Sequence, residues 1–259
     1  MNKLPLILEG KGKIVFQAGE TQLKTVNSTV TVGRGRMVCA LPIFWNFDGN
    51  PTARLFSLSF GGQSIWQDSG MQLYNLQFGF NTGKLKYVPL NYGEGQTFSF
   101  NVKLLDIREL HIAAPLACNV LFMYEGFHMT RDFTRNIEQH YIGFYSEFEG
   151  ENTEKINDIL PKNRGSIVGF RIQVETTSIN FGPVDQESFI NLNISGIEII
   201  KDVPIEYFNS YSTAVHEFYF DEPIEGGAPF ELRMVSEDIS INHGNFGIDW
   251  IFDEPENVV

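Results

Sequence analysis

Apolar and polar residues alternate with a period of two over much of this chain. Phe56, Leu58 and Phe60 alternate with Ser57 and Ser59, and Ile190, Leu192 and Ile194 alternate with Asn191 and Asn193. The same rhythm runs through Phe98, Phe100 and Val102, through Phe230, Leu232 and Met234, and through Val120, Phe122 and Tyr124 as well as Ile248, Trp250 and Phe252. Side chains of a strand point alternately to its two faces, so this pattern predicts strands with one apolar face, as a two-sheet sandwich requires. Gly61-Gly62 and Ser195-Gly196 fall between apolar runs and predict tight hairpins. Helical spacing is scarce. It appears at Thr130–His140, with Phe133 and Ile137 on one face, and at Asn152–Ile159, where Asn152 would cap a short turn.

The strand pattern is written twice. Arg-Gly opens an apolar run at 34–44 (RGRMVCALPIF) and again at 164–174 (RGSIVGFRIQV), a shift of 130. LFSLSFGGQSIWQD at 55–68 faces FINLNISGIEIIKD at 189–202, EGQTFSFNV at 94–102 faces GGAPFELRM at 226–234, and CNVLFMYE at 118–125 faces FGIDWIFD at 246–253. Four segments in one order at a nearly constant shift imply two copies of one β-unit. The copies differ at their entrances: Ile14–Val32, with the alternating run TVNSTVTVG, precedes the first, and a charged stretch precedes the second. The boundaries predicted are an arm at 1–13, a first jelly roll at 14–126, a connector at 127–163, a second jelly roll at 164–254 and a tail at 255–259. The fold class is all-β: two tandem eight-stranded jelly-roll β-sandwiches with a short, partly helical connector.

Composition sharpens this picture. The 259 residues include 23 Phe and 9 Tyr, rings that suit half-buried pleated faces. Lys plus Arg total 19 against 32 acids, and a net charge of −13 repels a polyanion, so no direct contact with nucleic acid is expected. Cys39 and Cys118 both lie in apolar runs and read as buried thiols, and two cysteines make no disulfide scaffold. The opening MNKLPLILEGKGK is too short an apolar run for a signal-peptide core, and no stretch nears the ~20 apolar residues that cross a bilayer.

His111, His128, His140, His216 and His243 never fall at zinc-ligand spacing, and His216-Glu217 lacks a second histidine four positions after the first. Asp221-Glu222 and Asp253-Glu254 gather carboxylates at predicted strand ends, which suit solvated loop acids better than structural calcium in the absence of an EF-hand loop, and no cofactor is expected. There is no GxSxG elbow, and Gly33-Arg34-Gly35 lacks the further glycine and helix of a phosphate cradle. Paired carboxylates for glycoside hydrolysis would be distant in sequence, while Trp45, Trp66 and Trp250 lie on apolar strand patterns that favour core packing over a sugar platform. No catalytic, cofactor-binding or metal-binding residue is assigned, and the chain is expected not to be an enzyme.

With its length, doubled strand order, LPKNRGSIVGFRI at 160–172 and final strand FGIDWIFDE at 246–254, the chain resembles the double jelly-roll major capsid proteins of icosahedral phages with an internal membrane, the corticovirus-type members in particular. The resemblance covers roughly residues 14–254. It implies two upright jelly rolls per chain, a homotrimer with a pseudo-hexagonal outline and lateral capsomer contacts in an icosahedral shell. It further implies a virion location after assembly in the host cytoplasm, and contact with other capsid or vertex proteins. Lys3, Lys11 and Lys13 would let the N-terminal arm meet an internal membrane. The alternatives are a minor capsid or vertex protein and, from another class, a carbohydrate-binding or glycoside-processing β-sandwich protein.

If the copies are equivalent, Phe60→Asp and Ile194→Asp each bury an unpaired charge at matching strand positions. Both variants are expected to lose folding to a similar degree, measured by circular dichroism and soluble yield. A tolerated change at one site with loss at the other would speak against the duplication.

Overall fold

The structure is a computed structural model that describes residues 8–16, 20, 22–31, 37–45, 54–60, 63–69, 94–104, 116–124, 127–128, 139–148, 152–162, 166–176, 188–208, 217–236 and 244–253. The chain divides into two units. Leu8–Glu125 makes most of one, and Gly126–Gly182 with Glu187–Val259 makes most of the other.

The described strands of the second unit give its topology. Its long strands are β9 (Gln139–Phe148), β10 (Asn152–Ile159), β11 (Ser166–Thr176), β12 (Ser188–Ile194), β13 (Ile197–Pro204), β14 (Glu217–Ile224), β15 (Pro229–Ser236) and β16 (Gly244–Asp253). One sheet runs β14-β11-β16-β9 with the two-residue β8 (Phe127–His128) beyond β14, and the other runs β10-β15-β12-β13. Of eight long strands, the first, third, sixth and eighth thus share one sheet and the second, fourth, fifth and seventh the other. All the pairings are antiparallel. That interleaving is the strand order of a jelly roll.

Among the described residues the first unit repeats seven of these eight strands, without a counterpart of β14. Its strands are β1 (Leu8–Phe16), β2 (Lys24–Thr29), β3 (Met37–Trp45), β4 (Arg54–Phe60), β5 (Gln63–Ser69), β6 (Thr97–Leu104) and β7 (Leu116–Tyr124). They form a run β1-β7-β3 and a sheet β2-β6-β4-β5. Each segment pair matched in the sequence is a strand pair here: β3 with β11, the hairpin β4–β5 with β12–β13, β6 with β15, and β7 with β16. The Ser195-Gly196 hairpin is as predicted, with φ of 51° and 81°, the left-handed values of a two-residue turn that suits the sheet twist.

Backbone detail repeats as well. The Val30 N–H donates to the Gln96 carbonyl (3.0 Å) and the Gly95 N–H donates back to the Val30 carbonyl (2.8 Å). In the second unit the Leu160 N–H donates to Ala228 (2.9 Å) and the Gly227 N–H to Leu160 (2.6 Å). Both glycines hold positive φ, 74° at Gly95 and 93° at Gly227, which lets the chain turn tightly into β6 and β15. Val30 and Leu160 are fully buried at those two turns.

Three expectations are corrected. Asn152–Ile159, read as a helical turn, is strand β10, because eight residue pairs with β15, from Asn152–Ser236 to Ile159–Pro229, outweigh a local capping signal. His140, assigned to a helix, lies in β9, so the partly helical connector is instead the first two strands of the second unit, and residues 130–138 lie outside the described residues. Among the described residues, its Glu147 lies on β9 and its Glu154, Lys155 and Asp158 lie on β10. Leu8–Lys13, assigned to an arm, belong to β1, so β1–β2 and β9–β10 enter the two copies alike and the expected divergence at the entrances is absent. The sole helical element described is a 3-10 turn at Ile205–Tyr207.

The second unit's core is aromatic. Phe170 stacks on Phe218 with ring centroids 5.3 Å apart and lies 5.7 Å from Trp250, and Trp250 meets Phe230 of the opposite sheet edge-on at 5.2 Å. Phe230 in turn meets Phe144 at 5.2 Å. Phe170 is wholly buried within this chain of rings. Phe170→Ala is therefore expected to cost about 3–5 kcal/mol, read as a lower urea midpoint. A loss well under 1 kcal/mol would mean that the rings do not hold the sheets together.

Candidate functional site

Among the described residues, those singled out for chemistry do not come together. His128 and His140 fall on β8 and β9, and the other three histidines lie outside the described residues. Asp221 and Glu222 are exposed within β14 rather than at its end, Asp253 closes β16, and Glu254 lies outside the described residues. Among the described residues, no group of three or more His, Cys, Asp or Glu is placed to hold a metal ion. Trp250 is fully buried in the core. Cys39, Cys118, Trp45 and Trp66 occupy strand positions on β3, β7, β3 and β5.

Two polar constellations that the sequence did not reveal are built by strand register. In the first unit, Glu9 on β1 is buried, 3% exposed. Its carboxylate accepts the Tyr124 O–H (2.6 Å) and the Thr31 hydroxyl (2.8 Å) and pairs with the Lys11 ammonium (2.8 Å). Register shifts between Gly10 and Gly12, so Lys11 is the extra residue of a bulge that brings its ammonium back to Glu9. Burial, and then the hydrogen bond to Glu9, pushes the Tyr124 hydroxyl well above the ordinary tyrosine range. An ionised or hydroxylic group this deep is tolerable only because each is partnered. Lys11 was expected to reach lipid, but its side chain is only 9% exposed and it is paired with Glu9.

The second constellation lies on the second unit, on the sheet face opposite Trp250. Gly143 on β9, Asp249 on β16, Arg171 on β11 and Glu217 on β14 stand in one register row across four strands. The Arg171 Nε donates to the Asp249 carboxylate at 2.5 Å, and its Nη1 lies 3.9 Å from Glu217. Two tyrosines of β9 flank the row. The Tyr145 O–H donates to Asp249 (2.7 Å), the Tyr141 O–H donates to Glu217 (3.3 Å), and the Arg171 guanidinium sits 4.6 Å from the Tyr141 ring centre. Tyr219 adds an O–H to Glu217 at 2.6 Å.

Glycine makes this arrangement possible. A Cβ on Gly247 would lie 2.2 Å from the Tyr145 ring, and one on Gly143 would lie 2.5 Å from an Asp249 oxygen and 2.6 Å from the Tyr145 ring. The ring therefore lies down on the bare backbone of two strands. Its own exposure is 54%, and that of Tyr141 is 40%. Burial, then the hydrogen bond to Asp249, raises the Tyr145 hydroxyl from 10.0 to about 12. Burial alone would lower the Arg171 value, but the Asp249 hydrogen bond and charge raise it above the ordinary arginine range. The face thus presents two fixed phenol rings beside a row in which one arginine answers two carboxylates.

No family model matches the sequence, and no curated protein matches it. Among solved structures, the chain is similar to the major capsid protein P2 of bacteriophage PM2, with a TM-score of 0.27, 8% identity, 96% of this chain covered and 98% of that one. It is similar also to the STIV major capsid protein, with a TM-score of 0.27, 9% identity, 96% of this chain covered and 100% of that one.

The Tyr145 hydroxyl keeps its proton more tightly when folded, so its contribution is intact below pH 10 and is lost as pH rises from 10 through about 12. A phenolate absorbance titration is expected to show a component near pH 12 that Tyr145→Phe removes, with a shallower loss of stability above pH 10. Identical curves for the two proteins would remove Tyr145 from the network.

Proposed function

We propose that this chain is a structural subunit of a viral shell whose copies assemble into trimeric, pseudo-hexagonal capsomers. The observation that carries the reading is the repeat itself: one strand order and one pair of closing hydrogen bonds, Val30–Gly95–Gln96 and Leu160–Gly227–Ala228, present twice in a single chain. A closed threefold oligomer of doubled units offers six similar edges, which lets it tile a sixfold lattice while keeping point symmetry. Tiling of a sixfold lattice by a threefold oligomer draws directly on such a doubling.

The subunit's partners in this reading are its own copies, other capsid or vertex proteins of the same virion, and an internal membrane. With Lys11 committed to Glu9, residues 1–13 bring fewer charges to that membrane than their sequence suggests. The location is the virion, reached after assembly in the host cytoplasm. No catalytic step, metal or cofactor forms part of the role.

Electron microscopy of the expressed protein tests this directly. Particles with a hexagonal outline and threefold averages containing six similar lobes are the expected result. Single two-lobed particles at all concentrations would contradict it.

A further inference from the structure

One strand order written twice in a chain raises a sorting problem. β1 must add to β7 and β9 to β16, yet the two entering strands meet their partners in the same way: Glu9 stands opposite Phe122, and Ile142 stands opposite Trp250 at the matching place. A glycine follows in each, Gly10 and Gly143, and an apolar residue comes after it, Ile14 in β1 and Phe144 in β9. Ladder hydrogen bonds are made by the backbone of any sequence. Apolar burial is non-directional, so it tells two such strands apart weakly.

The polar cluster around Glu9 breaks that likeness. Its bonds close on themselves: the Lys11 ammonium donates to the Thr31 hydroxyl (2.5 Å) and pairs with Glu9 (2.8 Å), and Glu9 accepts from Thr31 (2.8 Å) and from the Tyr124 O–H (2.6 Å). The Thr31 N–H reaches the Tyr124 oxygen at 3.4 Å. Glu9 and Lys11 travel with the entering strand, whereas Tyr124 belongs to the final strand and Thr31 follows the closing turn at Val30. In the second unit the matching places hold Phe252 and Pro161, which offer no hydroxyl, and Pro161 has no N–H. β1 laid on β16 would therefore bury Glu9 opposite Trp250 with both hydroxyl donors gone. β9 laid on β7 would bring Ile142 to the place of Glu9 and take the acceptor from Tyr124 and Thr31. Each exchange leaves buried polar groups unpaired, a penalty that a mismatch of apolar side chains does not carry.

We propose that the Glu9–Lys11–Thr31–Tyr124 cluster is a strand-sorting device, which admits β1 to the first unit and turns β9 away, so that each entering strand closes its own copy. An apolar cluster of the same volume would hold the strand as firmly. What the charged one adds is the choice of partner, as a single buried polar residue does among like helices in a coiled coil. The bulge at Lys11 serves the same end: the extra residue carries the ammonium back to the acid two positions before it, and β9 pairs with β16 without such a shift.

Disulfide trapping in the full chain reads the pairing. With Cys39 and Cys118 replaced by alanine, Val15→Cys can bridge to Ala117→Cys, its partner on β7, or to Asn245→Cys, the matching place on β16. All three cysteines are placed in one protein, which is refolded from denaturant and oxidised, and the bridge is mapped by peptide mass with circular dichroism as a fold control. With the cluster intact, the bridge to position 117 is expected to dominate. In Glu9→Ile/Lys11→Met/Thr31→Val/Tyr124→Phe, the share bridged to position 245, within a chain or between two chains, is expected to rise about tenfold or more. A folded variant with an unchanged share overturns the proposal, as do equal bridges with the cluster intact. If the fourfold variant does not refold, Thr31→Val/Tyr124→Phe repeats the test at nearly constant side-chain volume: the same rise supports sorting, and an unchanged share overturns it. Failure of both variants to refold makes the cluster a requirement for folding rather than a choice between strands, and overturns the proposal too.

Discussion

Everything described in the second unit depends on burying the apolar faces of two sheets against each other. The ring contacts from Phe218 through Phe170 and Trp250 to Phe230 and Phe144 cross that interior. Because one face of β16 is committed to this core through Phe246, Ile248, Trp250 and Phe252, its other face is free to carry Gly247 and Asp249. Period-two alternation thus fixes at once the core and the place where polar residues can be arranged. A slip of one residue in β16 would put Asp249 inside the sandwich and Trp250 outside.

The two copies share their frame and differ in what they bury. The closing turns at Val30 and Leu160 make the same pair of backbone hydrogen bonds. Beside them the side chains diverge. Tyr124 matches Phe252 in the aligned final strands, Thr31 follows Val30 as Pro161 follows Leu160, and Glu9 stands opposite Phe122 as Ile142 stands opposite Trp250. The buried acid, hydroxyl and phenol of the first unit are therefore apolar positions in the second. Meanwhile the acid–base–acid row with its tyrosines belongs to the second unit.

The frame was legible in the sequence because strand alternation and turn glycines are local signals. All four matched segments are paired strands, and the Ser195-Gly196 hairpin has the dihedral angles its residues predict. What misled was also local. Asn152–Ile159 carries a capping residue and early acids, and the eight backbone pairings with β15 that make it a strand come from a segment some 80 residues away. The side-chain networks were hidden for the same reason. Glu9 and Tyr124 are 115 residues apart, and Asp249 lies 78 from Arg171 and 104 from Tyr145. No spacing rule links them. The one signal that pointed their way was an acid inside an otherwise apolar strand: Glu9 after LPLIL, and Asp249 within FGIDWIF. A charge on a strand that must bury one face either points outward or has a partner.

The central claim is that the doubling serves assembly, and the mass of the full chain in solution addresses it most directly. Light scattering coupled to size separation is predicted to give a species of three times 29.4 kDa that persists on dilution. A monodisperse monomer of 29.4 kDa at high concentration would contradict the account.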